Sequence, residues 1–262
     1  MNRAAAELEA CITRARAHLD KARITDQDVH ETRRAVKKAR AALRLLRPRL
    51  PESVYRQENL CLRDAGRLLA PVRDARSQLD ALERLPPRFQ SLGAGLRHDQ
   101  VRARAELHEG ARRVEMCLKL LDEARARAKG RDVRSVPDAV LEEGLRILYR
   151  KGRKALRQAG KARSAASLHE WRKQIKHLSN ALEILGIAQR GEGAKALRRA
   201  EAVADRLGDD RDLALLGKRH LSEKKLRERI ASRREKLQRG IFVAGKKLYA
   251  EKPRRFARRL AG

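Results

Sequence analysis

Only seven aromatic residues occur in 262 (three Phe, three Tyr and Trp171), too few for a platform that stacks one exposed ring per base. Base-by-base reading of single-stranded nucleic acid is therefore not expected. The three cysteines, Cys11, Cys61 and Cys117, are odd in number, far apart and each set in an apolar helical pattern. They read as small core residues of a reducing compartment rather than a disulfide framework. No apolar run approaches the roughly 20 residues of a membrane span, and the amino terminus MNRAAAELEA carries acids where a signal peptide needs an apolar core. A cytoplasmic protein is expected. Period-2 alternation of β-branched residues is missing too, so strands are not expected.

What the chain has in excess is positive charge. It carries 65 Lys and Arg against 34 Asp and Glu, a formal charge of +31. Such an imbalance points to a polyanionic partner: nucleic acid, an anionic membrane face or a polymer of phosphate. The apolar residues are mostly Ala and Leu, a helix-forming composition. Scarce Gly and Pro punctuate the chain into helices near 2–22, 27–47, 53–69, 72–84 and 89–128. A second set follows near 138–160, 168–187, 192–207, 210–220 and 223–250. The polar stretch Lys129-Gly130-Arg131-Asp132 separates the sets. The expectation is an all-α protein, a single domain over 1–262 built from helical halves 1–130 and 131–262.

The halves repeat. A constant shift of 139 lays 30–46 (HETRRAVKKARAALRLL) on 169–185 (HEWRKQIKHLSNALEIL) without a gap. It pairs His30 with His169, Arg33 with Arg172, Arg34 with Lys173, Lys37 with Lys176 and Leu43 with Leu182. The same shift pairs Arg14 with Arg153, and a shift of 138 lays Leu69–Asp74 on Leu207–Asp212, matching Arg73-Asp74 with Arg211-Asp212. A duplicated unit with pseudo-twofold symmetry follows.

In each copy a cap, Asp28 or Ser167, precedes Glu31 or Glu170 at capping-box spacing, which puts each histidine in the first helical turn. Free N–H groups and the helix dipole there attract an anion. From His30 one face continues through Arg33, Lys37 and Arg40, four cationic groups over about 15 Å, flanked by Arg34 and Lys38. The second copy has His169, Arg172 and Lys176, flanked by Lys173, with Ser179 in place of Arg40. Like charges along one face repel by a few tenths of a kcal/mol per pair, a penalty that an extended polyanion removes.

These segments resemble the two signatures of the CHAD family, the conserved-histidine α-helical domains. The stretch Tyr149-Arg150-Lys151-Gly152-Arg153 and the Leu-x-x-x-Arg-Asp segments at Leu69–Asp74 and Leu207–Asp212 are similar to that family as well. Departures are Lys37, Lys38, His177 and Ser179. The resemblance implies two helical-bundle halves around a basic central cavity, binding of inorganic polyphosphate and location at polyphosphate granules. The residues expected to bind polyphosphate are His30, Arg33, Arg34, Lys37, Arg40, His169, Arg172, Lys173 and Lys176, with Arg14, Arg153, Arg73 and Arg211 beside them. Histidine protonation near pH 6.5 predicts tighter binding as pH drops from about 8 to 6.

Asp205, Asp209, Asp210 and Asp212 form the one acidic cluster. Capping by Asp209 or Asp210 is favoured over a hard-cation site, because the first copy has Arg67, Pro71 and Val72 at three of the four positions. His98 and His108 have no matching metal-ligand pattern, and Leu168 and Trp171 are expected in the core. The segment Lys252–Leu260 is expected to be a frayed basic terminus. No catalytic residue, metal or cofactor is expected. A sequence-nonspecific nucleic-acid binder is the alternative, and a phosphohistidine or metal-dependent polyphosphate enzyme the third reading.

Overall fold

The structure, a computed structural model, describes residues 3–109, 111–130, 136–187, 191–219 and 222–261; the side chains of residues 73, 107–109, 111 and 261 lie outside the description. All described elements are helical: α1 (Arg3–Leu19), α2 (Asp26–Leu46), α3 (Glu52–Leu68), α4 (Ala70–Glu83), α5 (Ala94–Glu109), α6 (Ala111–Lys129), α7 (Asp138–Ala162), α8 (Ala165–Ile184), α9 (Gly191–Arg219), α10 (Lys224–Leu248) and α11 (Pro253–Ala261). Short 3-10 turns cover Arg47–Arg49 and Pro87–Gly93. The all-α class expected from composition is the observed one.

Two compact units form. The first joins Met1–Arg76 to Arg97–Gly144, and the second joins Ser77–Leu96 to Leu145–Gly262. In the first, α1 buries Ala4, Leu8, Cys11, Ala15 and Leu19 while α2 buries Val29, Thr32, Val36, Ala39, Leu43 and Leu46. Those steps of three and four keep one apolar stripe on each helix, and Thr32 Oγ1 donates to the Ala15 carbonyl between them. Cys11, Cys61 and Cys117 are buried and not in disulfides. Burial pushes Cys11 up to about 11 and Cys117 up to about 12, so both stay thiols at neutral pH.

In the second unit α8 buries Leu168, Trp171, Ile175, Leu178 and Leu182. Trp171 stacks on Phe242 of α10, ring centroids 5.5 Å apart. Gly245, one turn beyond Phe242, admits this indole: a Cβ there would lie 2.4 Å from the Trp171 ring. A separate cluster joins Leu79, Leu82, Leu85, Phe89 and Leu96 to Leu213, Leu216, Leu226 and Ile230.

Three boundaries differ from expectation, each for a physical reason. The expected break between 207 and 210 does not occur: α9 runs from Gly191 to Arg219, so neither Asp209 nor Asp210 is a cap. Its counterpart does break between α3 and α4, where Pro71 stands at the position of Asp209 and removes a backbone donor. The helix expected to start at 89 starts at Ala94 instead, after a 3-10 turn over Pro87–Gly93 that follows Pro86; residue 110, between α5 and α6, lies outside the described residues. Finally, the carboxyl-terminal segment is not frayed. Helix α11 buries Phe256, Ala257 and Leu260, and Phe256 stacks on Tyr149 at 4.0 Å.

Candidate anion-binding helix faces

Both signature helices start one turn earlier than their sequences suggested. The N-cap of α2 is Thr25, whose hydroxyl accepts from the Asp28 N–H while the Asp28 carboxylate accepts from the Thr25 N–H. Asp28 is thus the third helical residue of a capping box rather than the cap. In α8 the cap is Ser164, accepting from the Ser167 N–H at 3.2 Å. His30 and His169 are consequently the fifth helical residues, past the unsatisfied N–H groups of the first turn. Any anion they hold is bound by side chains.

The first turn of α2 is also pre-neutralised. Asp26 accepts from Arg104 Nε at 2.6 Å and from Gln100 of α5 at 3.3 Å, and Asp28 accepts from Lys21 at 2.5 Å. Hydrogen bonds from Lys21 and Thr25 hold the Asp28 carboxyl far below the usual carboxylate range. The first turn of α8 carries no acid.

In the first unit, His30, Arg34 and Lys37 are exposed on α2, and Arg33, Lys38 and Arg40 are half-buried. Arg33 Nη1 donates to the Gly66 carbonyl of α3. Lys38 turns to Glu7 of α1 at 3.3 Å, and Arg14 donates to the same carboxylate at 2.5 Å. Lys38 thus ties α2 to α1, while Arg14 pairs with Glu7 within α1. Arg34 approaches Glu31 only to 3.7 Å. A concavity beside His30 is lined by Asp26, Gln27 and Val29 of α2 and by Val72 and Arg76 of α4. The Arg73 side chain lies outside the described residues.

Arg40 Nε and Arg44 Nη2 both donate to Asn59 Oδ1, at 3.1 and 3.2 Å, and Arg44 Nη1 donates to the Arg40 carbonyl. Arg63 and Arg67, one and two turns beyond Asn59 on α3, share Asp64. Arg47 lies over the Tyr55 ring, 4.6 Å from its centroid. Arg44, Arg47, Arg63 and Arg67 were not among the expected residues. Arg44 follows Arg40 at i+4 and was visible in principle, whereas the α3 residues join the strip only through tertiary packing.

In the second unit the α8 strip is more neutralised. Lys173 pairs with Glu170, Lys176 with Asp205 of α9 at 3.1 Å, and Ser179 is buried and donates to the Lys176 carbonyl. Arg172 lies against α9 where Gly208 leaves it room: a Cβ there would stand 3.2 Å from the guanidinium. This glycine allows a close approach and does not end a helix. His169 lines a concavity with Ala165 and Leu168 of α8 and with Leu207, Asp210, Arg211, Ala214, Leu215 and Lys218 of α9. The His169 Nδ1 is enclosed, with no hydrogen-bond partner among the described residues. Burial, then the Arg211, Lys173 and Arg172 charges, hold its pKa below the ordinary histidine value. The neutral form is therefore favoured, and charging moves below the window expected from an unperturbed imidazole. Arg153, half-buried on α7, lies near Tyr149.

The acidic cluster is dispersed onto cations. Asp205 holds Lys176, Asp209 holds Arg84 at 3.0 Å, and Asp212 is 4.0 Å from Arg84. Asp210, only 2% exposed, accepts from Arg234 at 3.0 and 3.3 Å and from Gln238 at 2.8 Å. Among the described residues no three His, Cys, Asp or Glu side chains converge as a metal site. His98 is exposed, and the His108 side chain lies outside the described residues. No described helix is long and apolar enough to cross a membrane.

Each unit thus pairs a cationic helix face with a histidine-lined hollow closed by the next segment of the repeat. The family sequence profile described as "CHAD domain" matches residues 6–221. The chain belongs to the CHAD domain family. Its fold is similar to that of the crystal structure of the CHAD domain from the plant Ricinus communis, with a TM-score of 0.62 and 20% identity over 95% of this chain and 90% of that one. None of the curated proteins matches the chain.

Proposed function

We propose that this protein is a non-enzymatic binding module for inorganic polyphosphate, located in the cytoplasm at polyphosphate granules. The observation that carries this reading is the recurrence of one arrangement in both units. A His-x-x-Arg-x-x-x-Lys helix face borders a hollow whose far wall supplies further cations, Arg76 in the first unit and Arg211 with Lys218 in the second. Guanidinium forks and ammonium groups suit successive phosphoryl oxygens through charge-assisted hydrogen bonds. Scarce aromatics leave nothing to stack bases, and the resemblance of the signatures to polyphosphate-binding domains supports the same ligand.

The site offers cations where phosphoryl transfer needs placed carboxylates or magnesium ligands. Incubation with polyphosphate and Mg²⁺ is expected to release no orthophosphate; release abolished by His30→Ala or His169→Ala would establish an enzyme instead. The binding test compares the triple variant Lys37→Gln, Arg172→Gln, Lys173→Gln with Arg102→Gln, Arg239→Gln, Arg255→Gln, which removes equal charge from exposed positions elsewhere. Calorimetric titration with long-chain polyphosphate is expected to show a far larger loss in the first variant. Equal losses would reduce the effect to net charge.

A further inference from the structure

The two strips are not equivalent, and the difference lies where the end of α2 meets α3. Helix α2 continues its cationic face past Arg40 to Arg44, with Arg47 following in the 3-10 turn, while α3 runs alongside and presents Tyr55, Asn59, Arg63 and Arg67 at i+4 spacing. From Arg33 to Arg44 this seam spans about 16 Å at 1.5 Å per residue. At its centre Arg40 and Arg44 converge on one neutral acceptor, Asn59 Oδ1, and among the described residues neither has a carboxylate oxygen within 4.0 Å. Asp64, whose carboxyl Arg40 also helps to hold down, is already engaged by Arg63 and lies 3.6 Å from Arg67. In the repeat, Arg40, Arg44, Arg63 and Arg67 correspond to Ser179, Glu183, Glu201 and Asp205, so a cationic seam becomes a self-neutralising one.

We propose that the α2–α3 seam of the first unit, centred on Arg40 and Arg44 with Arg63 and Arg67 at its rim, is an oxyanion seat that holds phosphoryl groups, making phosphate-chain engagement asymmetric between the units. This rests on the polymer reading only for the identity of the long ligand; the seat itself is defined by its own side chains. Half-buried guanidiniums fixed by an amide oxygen keep their remaining N–H donors directed as a group, and phosphoryl oxygens match that fork geometry. Burial and the neighbouring Arg44, Arg63 and Arg67 bring Arg40 down to about 10. The ligand-free protein therefore holds charge there at a cost, as expected where affinity has been favoured over stability.

Tripolyphosphate and long-chain polyphosphate are titrated separately into the full chain, into Arg40→Gln/Arg44→Gln, into Arg67→Gln, and into the exposed control Arg102→Gln/Arg239→Gln. Melting temperatures without ligand are recorded for each. The seat predicts at least an approximately tenfold loss of tripolyphosphate affinity in the double variant, a smaller loss at the rim variant, and little change in the control. Arg40→Gln alone is expected to leave the ligand-free melting temperature unchanged or raised, which a purely structural arginine would not do. Asp205→Asn, by releasing Lys176, is expected to strengthen polymer binding. Should tripolyphosphate follow this pattern while the long polymer fails to bind, the seat stands and the polyphosphate reading falls. No tripolyphosphate binding, or equal losses in seam and control variants, overturns the seat.

Discussion

Replacing Asp210 by Ala is the sharpest test of how α9 and α10 are held together. The carboxylate is 2% exposed and accepts three hydrogen bonds, two from Arg234 at 3.0 and 3.3 Å and one from Gln238 at 2.8 Å. Removing one member of a buried pair costs about 3–5 kcal/mol, because the other charge is left uncompensated. The Arg234 side chain retains 26% exposure, so water recovers part of its solvation and the lower end, about 3 kcal/mol, is expected. Asp210→Asn keeps an acceptor for Gln238 and is expected to cost about 1–2 kcal/mol. Urea unfolding followed by helical circular dichroism gives both values from the midpoint at constant m. In a double-mutant cycle Asp210→Ala and Arg234→Ala should be strongly non-additive. Additive effects, or a loss under about 1 kcal/mol for Asp210→Ala, would refute the buried-pair argument.

Gly208→Ala separates stability from binding: replacing a helical glycine favours α9 by about 1 kcal/mol, while the added Cβ displaces Arg172. A raised melting temperature with weakened polyphosphate binding is expected, and unchanged affinity would remove Arg172 from contact. Because the His169 pKa is lowered in the fold, stability tied to it is present above the ordinary histidine value near 6.5 and is lost as pH falls toward the folded pKa. A bound polyanion would counter the Arg211, Lys173 and Arg172 fields and draw a proton onto His169. Calorimetry near pH 6 in buffers of different ionisation enthalpy should then show proton uptake on binding that His169→Ala diminishes; no difference between wild type and variant would place His169 away from the ligand. Phe256→Ala, which empties the stack on Tyr149, is expected to cost about 3–4 kcal/mol in urea unfolding; a negligible change would mean that α11 contributes little to the core.

The sequence carries the α2 and α8 faces almost completely, since helical periodicity and the 139-residue repeat are local signals that packing does not alter. Caps were harder to read: Thr25 and Ser164 outcompete Asp28 and Ser167 because side-chain hydrogen bonds one turn earlier are available, and composition alone ranks those residues alike. Gly208 reads as a break until Arg172 is seen to need the space. Pro71 and Asp209 occupy equivalent repeat positions with opposite backbone consequences, so the symmetry that revealed the duplication also misled the reading of α9. Which cations stay available to a ligand depends on neighbours remote in sequence. Asp205 occupies Lys176 across 29 residues, Glu7 occupies Lys38 across 31, and Asn59 holds Arg40 and Arg44 through a neutral amide oxygen.

Net charge draws any polyanion, so the central claim is tested most directly by competition. Labelled duplex DNA bound to the protein is challenged with long-chain polyphosphate and with unlabelled DNA, at equal concentrations of negative charge and at matched salt. Helix faces shaped for phosphate without bases predict that polyphosphate displaces the label at least about tenfold more effectively, a difference of 1.4 kcal/mol. Equal displacement by the two polymers would contradict the account and leave a nonspecific cationic surface.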